Sequence, residues 1–335
     1  GLPIRFFRVA QGGPELVEGE SPDEVAGYSV YLNGEMRSTG WWYYYFVTLL
    51  YKLPEGTILL LALSLVPLLA IKRPLAAWAD EIAVATVPIV ILVLMSFFTD
   101  INLGLRYVLA ILPYLYISAG KIFPWLQSLA RPLRQIVGGV VAVCLGLTVA
   151  TTFMIHPHYL AYFNSVSGGP DRAPARLIDS NLDWGQDLIN LKDWCQKNIP
   201  NTPIGLAYFG QINPSIFMMR GESFPWFLPP VEPNSADSMY RDVDPSSLVG
   251  FAPTLRPGYY AVSASILYGL PWRLYDSSPR AWDPAWNVHR QGAFGYFRAF
   301  TPIARVGHSI YVYKLTQEDI DRHAPIWLKS ATSTK

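Results

Sequence analysis

Charge is what this sequence has least of. Only 15% of its 335 residues are Asp, Glu, Lys or Arg, against roughly 25% in ordinary soluble domains. The deficit is uneven: charges thin out between Trp41 and Ile155, while the rest has the composition of a soluble protein. A membrane part followed by a soluble part is the simplest division. The net charge of +1 gives no electrostatic footprint for nucleic acid, so none is expected as a partner. There are two cysteines, Cys144 in an apolar run and Cys195 in the soluble part. They are not expected to meet, which leaves the redox compartment undetermined. GxSxG, HExxH and a phosphate-cradling glycine loop are all missing, so the familiar serine-hydrolase, zinc-protease and nucleotide-binding signatures do not apply. The chain starts GLPIRFFRV, without Met or the charged and apolar regions of a signal peptide, which reads as a fragment whose N-terminal part lies outside.

Residues 1–40 are polar and rich in Gly and Pro, with a short apolar stretch at Val25 to Leu32. An aromatic cluster follows, WWYYYFVTLLYKLPEGT, of the kind that sits at a bilayer interface. Then come four apolar runs, 57–71, 82–98, 105–120 and 136–155. Several are shorter than the roughly 20 residues needed to span a bilayer and must borrow from their flanks. No Asp, Glu, Lys, Arg or His lies in the interior of any run, whereas ion pumps and proton-coupled transporters place such groups there. Lys72 and Arg73 lie between the first and second runs, and Lys121, Arg131 and Arg134 between the third and fourth. Positive loops stay in the cytoplasm. The loop TDINLG, the first forty residues and everything after His156 are therefore expected outside.

After His156 the pattern changes to short strands and helices. ARLID (175–179) reads as a strand, GQDLINLKDWCQKN as an amphipathic helix, and 203–209, 258–264 and 308–315 as further strands. SFPWFLPPVEPN reads as a proline-rich loop. The expected fold is thus a membrane all-α part with four transmembrane helices (41–155), then an extracytoplasmic α/β domain (156–335) with a mostly parallel sheet.

The densest polar signal is DSNLDWGQDL (179–188), where Asp179, Asp183 and Asp187 stand four apart. Asp183 with Gln186 matches a capping box. Asp179, Asn181 and Asp183 match the first ligands of a calcium loop, but Gly185 comes one place late and Asn190 stands where a glutamate is needed. The third reading is a substrate-facing loop at the carboxyl end of a strand. Its carboxylates, its amides and Trp184 would suit a sugar's hydroxyls and apolar face. Arg106 and Tyr107 open the third run at its outer end, where an arginine either snorkels or holds a phosphate. Lys52 has the same ambiguity. His156 and His158 read as interfacial anchors rather than a metal pair.

Three stretches together resemble one family. YLNGEMRSTGWWYYYFVTLLYKLPEGTILLL is similar to the Gly-Glu … Gly-Trp-Trp-Tyr-Tyr … Lys-x-Pro segment of membrane glycosyltransferases of the GT-C superfamily, relatives of protein O-mannosyltransferases and aminoarabinose transferases. LRYVLAILPYLYISAG resembles their Arg-Tyr … Pro helix, and HYLAYFNSVSGGP with the decapeptide resembles a third block. The match spans residues 28–188. It implies transfer of a sugar from a polyprenyl-phosphate donor to a lipid or protein acceptor, among membrane lipids at the outer face. By that resemblance Arg106 and Tyr107 would hold carrier phosphate, and Glu35, Trp41 and Trp42 would border the cavity. Asp179, Asn181, Asp183, Trp184, Gln186 and Asp187 would face it. No cofactor is fixed by the resemblance, although a divalent cation would serve to offset the leaving phosphate. The family's catalytic acid lies in a first outer loop that nothing here matches, so the base is expected upstream. A transporter or flippase of lipid-linked sugars, and a non-catalytic membrane-anchored sugar-binding module, are the alternatives.

Overall fold

A computed structural model of the chain describes residues 29–70, 75–214, 225–230, 254–271, 273–274, 288–289, 291–325 and 328. The start of the chain, the basic pair Lys72 and Arg73 and half of the stretch 223–234 lie outside the described residues; the other half is not all loop, since Trp226 and Phe227 form a short edge strand.

A two-residue hairpin opens the described chain: β1 (Val30–Leu32) and β2 (Glu35–Arg37) pair antiparallel. Asn33 and Gly34 both have positive φ, +50° and +89°. An Asn-Gly pair adopts this twist at low cost, and it matches the twist of the flanking strands. The sequence signal was present in the polar stretch read as loop.

Six helices follow: α1 (Tyr44–Lys52), α2 (Glu55–Ala70), α3 (Leu75–Phe97), α4 (Leu112–Gly120), α5 (Ile122–Ser128) and α6 (Arg131–Met154). A 3-10 turn over Leu105–Ile111 leads into α4. Among the described residues three helical segments are long and apolar enough to cross a membrane: Trp78–Phe97, Leu105–Ser128 and Arg131–Met154. The fourth expected span is broken, because α1 and α2 meet at 116°. Pro54 is the cause: the residue before a proline is driven out of the helical region, and Leu53 is extended with ψ 140°. Pro67 and Pro88 lie inside α2 and α3.

Large apolar side chains such as Val93, Phe97, Val143 and Phe153 point outward, as on helices that contact lipid rather than water. Between helices, contact depends on small residues. A Cβ on Gly56 would come within 1.9 Å of the Cys144 carbonyl oxygen, so α2 and α6 approach backbone to backbone there.

The part that follows the helices is built on a five-stranded mixed sheet in the order β4 (Trp226–Phe227), β3 (Ile204–Ala207), β5 (Gly258–Ser263), β9 (Ile310–Leu315), β8 (Ala304–Val306). The pairs β3–β4 and β3–β5 are parallel, while β5–β9 and β8–β9 are antiparallel. The mostly parallel sheet expected from the sequence is therefore half right. Three residues join β8 to β9, which is too few for the crossover that a parallel pair needs. β6 (Arg273–Leu274) and β7 (Val288–His289) form a separate hairpin.

The helix α8 (Leu188–Asn198) buries Leu188, Leu191 and Cys195 against the sheet, as its periodicity predicts. Short α7 (Gly169–Arg172), α9 (Ala264–Leu267) and α10 (Gln317–His323) complete the helices among the described residues. Cys144 and Cys195 are both buried and free.

The stretch 175–179 is not a strand. Arg176 and Leu177 donate back to the Ala173 carbonyl in a tight turn, and Asp179 sits at φ +60°. Its two apolar residues split, with Leu177 entering the core around Tyr44 and Tyr45 and Ile178 the core around Phe297. The segment links two cores instead of pairing in the sheet.

Candidate functional site

The decapeptide lies where the helical part meets the carboxyl ends of two parallel strands. Ser265, just past β5, anchors it twice: its hydroxyl accepts from Asp179 N–H at 3.1 Å, and its N–H donates to Asp183 Oδ2 at 3.4 Å. Tyr208, just past β3, donates its hydroxyl to the Gly185 carbonyl at 2.7 Å. The decapeptide thus lies at strand ends where ligands bind in open sheets, although the strands are β3 and β5 rather than one of its own.

From the helical part, α1 and the start of the 3-10 turn converge on Asn181. Its amide donates to Tyr44 Oη at 2.9 Å, its Oδ1 accepts from Leu105 N–H at 3.1 Å, and its carbonyl accepts from Lys52 Nζ at 2.7 Å. Ser180 Oγ donates to the Leu103 carbonyl. Gly104 must be glycine there: its φ is +150°, and a Cβ would come within 2.5 Å of Ser180 Oγ. The TDINLG loop, the segment around Trp41 and the decapeptide accordingly share one end of the helical part.

Lys52 is no phosphate clamp. Its ammonium also donates to the Leu160 carbonyl at 2.8 Å and lies over the Phe163 ring at 4.3 Å. It holds chain segments together.

Most of the acidic signal is structural in geometry. Asp183 is fully buried and accepts from Gly185 N–H at 3.2 Å as well as from Ser265. Burial pushes its carboxyl up to about 8, with the nearby Asp187 adding to the rise. Asp187 is buried and accepts from Ser309 Oγ at 2.6 Å and Asn190 Nδ2 at 2.8 Å, with His158 Nδ1 at 3.7 Å. A capping box does not form between Asp183 and Gln186. The N-cap of α8 is Asp187, without a side-chain cap bond, because its carboxylate is committed to Ser309. Gln186 instead braces the turn, accepting from Trp184 N–H and donating to the Leu182 carbonyl. A calcium loop does not form either. The oxygens of Asn181 and Asp183 answer N–H donors of the protein, and among the described residues no three metal-ligating side chains converge.

Trp184 and Gln186 are the exposed side chains of the decapeptide, Asp179 is half-buried, and Arg106 approaches Trp184 from the helical part. The Arg106 guanidinium lies 4.8 Å from the Trp184 ring centroid and 4.9 Å from that of Tyr107, whose hydroxyl accepts from Nη2 at 3.2 Å. Arg106 itself is exposed. Asp179 spends one oxygen on Ser180 N–H at 2.5 Å, and no other described donor reaches the second. Burial raises its carboxyl to about 6, against the pull of the Ser180 N–H and the Arg106 charge.

Glu35, Trp41 and Trp42, expected at the cavity border, differ in exposure and partners. Glu35 is exposed and paired with Arg37 in the hairpin at 2.7 Å. Trp41 is buried, donating its backbone N–H to Asn102 Oδ1 at 2.6 Å. Trp42 is exposed and stacks on Phe97 with ring centroids 6.0 Å apart. Among the described residues no contact joins Glu35 or Trp42 to Arg106. Sequence reading missed Ser265, Ser309, Tyr208 and Asn102, which carry no local motif and become visible only as partners.

No family model matches this chain, and neither a curated protein nor a solved structure does.

Proposed function

We propose that the chain is part of an integral-membrane glycosyltransferase that handles a polyprenyl-phosphate-linked sugar at the extracytoplasmic face. The observation that supports this most is the exposed Arg106 guanidinium, held between Tyr107 and Trp184 at the mouth of an apolar segment long enough to span a membrane. A carrier lipid would lay its prenyl chain along such a segment and bring its phosphate to the mouth. Guanidinium makes paired, charge-assisted hydrogen bonds to phosphate oxygens, and the Trp184 face suits the apolar side of a sugar. Asp179, with an unpaired oxygen beside this group, would accept a sugar hydroxyl.

The buried Asp183, Asn181 and Asp187 support the loop from behind rather than touching substrate. The acceptor is a lipid or protein hydroxyl.

The test is retention of a radiolabelled polyprenyl-phosphate sugar by the purified chain in neutral detergent. Saturable retention that falls roughly tenfold in Arg106→Ala is expected, since a lost charge-assisted bond is worth at least that. Equal retention by both proteins would sink the reading.

A further inference from the structure

Away from the decapeptide, a cavity of about 350 Å3 opens where the β1–β2 hairpin meets the soluble part. Three guanidiniums line it: Arg172 at the end of α7, Arg176 just beyond, and Arg298 from the 3-10 turn over Gly295–Ala299. No carboxylate lines it among the described residues. Arg172 and Arg298 are exposed and make no ion pair with a described residue. Arg176 is fixed by bonds to the Ser167 carbonyl at 3.2 Å and Asn33 Oδ1 at 3.4 Å, both neutral acceptors. Three cations gathered without a counter-charge repel one another, and an anion would relieve that.

A second, independent observation points the same way. Tyr31, only 5% exposed, lies on the wall of this cavity, and its hydroxyl has no hydrogen-bond partner. Burial, with the neighbouring Tyr268, pushes the phenol up to about 12 against the Arg298 charge and the Gly34 N–H, which approaches the hydroxyl but falls short of hydrogen-bond geometry, so the phenol remains a donor. A buried hydroxyl without a partner has lost its hydration with nothing in return, and a ligand acceptor in the cavity would make that good.

We propose that this cavity binds the phosphate group of a phosphate ester, held by Arg172, Arg176 and Arg298 with the Tyr31 hydroxyl as a fourth donor. A phosphate monoester carries a charge near −2 and three free oxygens, which fits this donor set better than a carboxylate with two. The volume exceeds what a bare phosphate fills, and lies in the range of small-molecule sites. Tyr31 and Tyr268, edge to face with centroids 6.4 Å apart, form an aromatic wall for the compact group on the phosphate. The ester comes either from a lipid headgroup or from a soluble molecule. The site shares no residue with the one at Arg106 and stands whether or not that reading does.

The experiment has two arms, each run on the whole chain. In the first, inorganic phosphate is titrated onto protein in phosphatidylcholine nanodiscs and followed by phosphorus NMR line broadening. In the second, nanodiscs containing phosphatidic acid, whose headgroup is a phosphate monoester, replace them, and protection of the arginines from phenylglyoxal is read. Saturable binding in the first arm, weakened roughly tenfold by Arg172→Gln or Arg298→Gln, indicates a soluble ester. Protection in the second arm alone, lost in the same variants, indicates a headgroup. Tyr31→Phe should weaken whichever binding is seen several-fold while leaving the melting temperature within a few degrees. Arg131→Gln, at the opposite end of the helical part, is the charge-matched control. Absence of arginine-dependent binding in both arms, or an equal loss in Arg131→Gln, would overturn the proposal.

Discussion

Arg106 and Trp184 are in cation–π contact at 4.8 Å across 78 residues of sequence. One comes from the mouth of an apolar membrane-length segment, and the other from a loop held by the carboxyl ends of β3 and β5. Each is ambiguous alone: an arginine at a helix end snorkels, and an exposed tryptophan is ordinary at an interface. Their juxtaposition makes a surface with a charge and a flat aromatic face side by side.

Arg106→Lys should recover only part of the donor binding that Arg106→Ala loses, since an ammonium keeps charge without the paired geometry. Trp184→Ala should weaken binding of the sugar-bearing carrier while sparing the sugar-free carrier phosphate. Competition between the two lipids measures this, and equal weakening of both would remove Trp184 from the sugar.

Asp179 and Asp183 set a pH dependence of stability. Both carboxyls titrate higher when folded, at about 6 and about 8, than in an unfolded chain, near 3.9. The folded state therefore binds more protons between these values, and stability falls as pH rises from about 4 to about 8. Asp183→Asn mimics the neutral acid. It should melt within about 1 kcal/mol of the native chain at pH 5 and be the more stable of the two at pH 8.5. A variant that loses stability equally at both pH values would show that the ionised carboxylate is what the loop needs.

The Asn181–Tyr44 bond couples the soluble part to α1. Asn181→Ala should cost about 2–3 kcal/mol, because it strands the Tyr44 hydroxyl and the Leu105 N–H in a buried place. A double-mutant cycle with Tyr44→Phe should return a coupling of about 0.5–1.5 kcal/mol. Strict additivity would deny the link.

Gly56→Val should separate α2 from α6 and destabilise the protein in detergent by about 1–3 kcal/mol, the usual cost of overpacking. Cys144 supplies the readout: a maleimide should label it faster in the variant, since the native thiol is buried beside this contact. Unchanged labelling would mean that the helices accommodate the side chain.

For orientation, a tag after Lys335 and one in the 121–135 loop should lie on opposite sides of a sealed vesicle. The basic loops motivate this by the positive-inside preference. Equal protease protection of both tags would refute it.

Apolar runs and prolines were legible in the sequence because their physics is local. Uncharged stretches of membrane length, the break at Leu53-Pro54 and the apolar stripe on α8 follow from the residues themselves and their immediate neighbours. The Asn33-Gly34 turn was legible too, in a dipeptide whose positive φ values need no tertiary help. The decapeptide was conspicuous, but its chemistry was not. Nothing local distinguishes Asp183, whose carboxylate is buried against Ser265, from Asp179, which keeps an oxygen free. That difference arises from Ser265, 82 residues beyond Asp183, whose N–H donates to the Asp183 carboxylate while its hydroxyl accepts only the Asp179 backbone N–H. ARLID carried a strand-like pattern, but two separate cores claimed its Leu177 and Ile178, and burial outweighs local preference when partners arrive from both sides. The grouping of Arg172, Arg176 and Arg298 around Tyr31 had no sequence signature, because it requires the hairpin, α7 and a late turn of the soluble part to meet. Local preference determined the elements, while long-range packing decided which polar groups were consumed within the protein and which were left for a ligand.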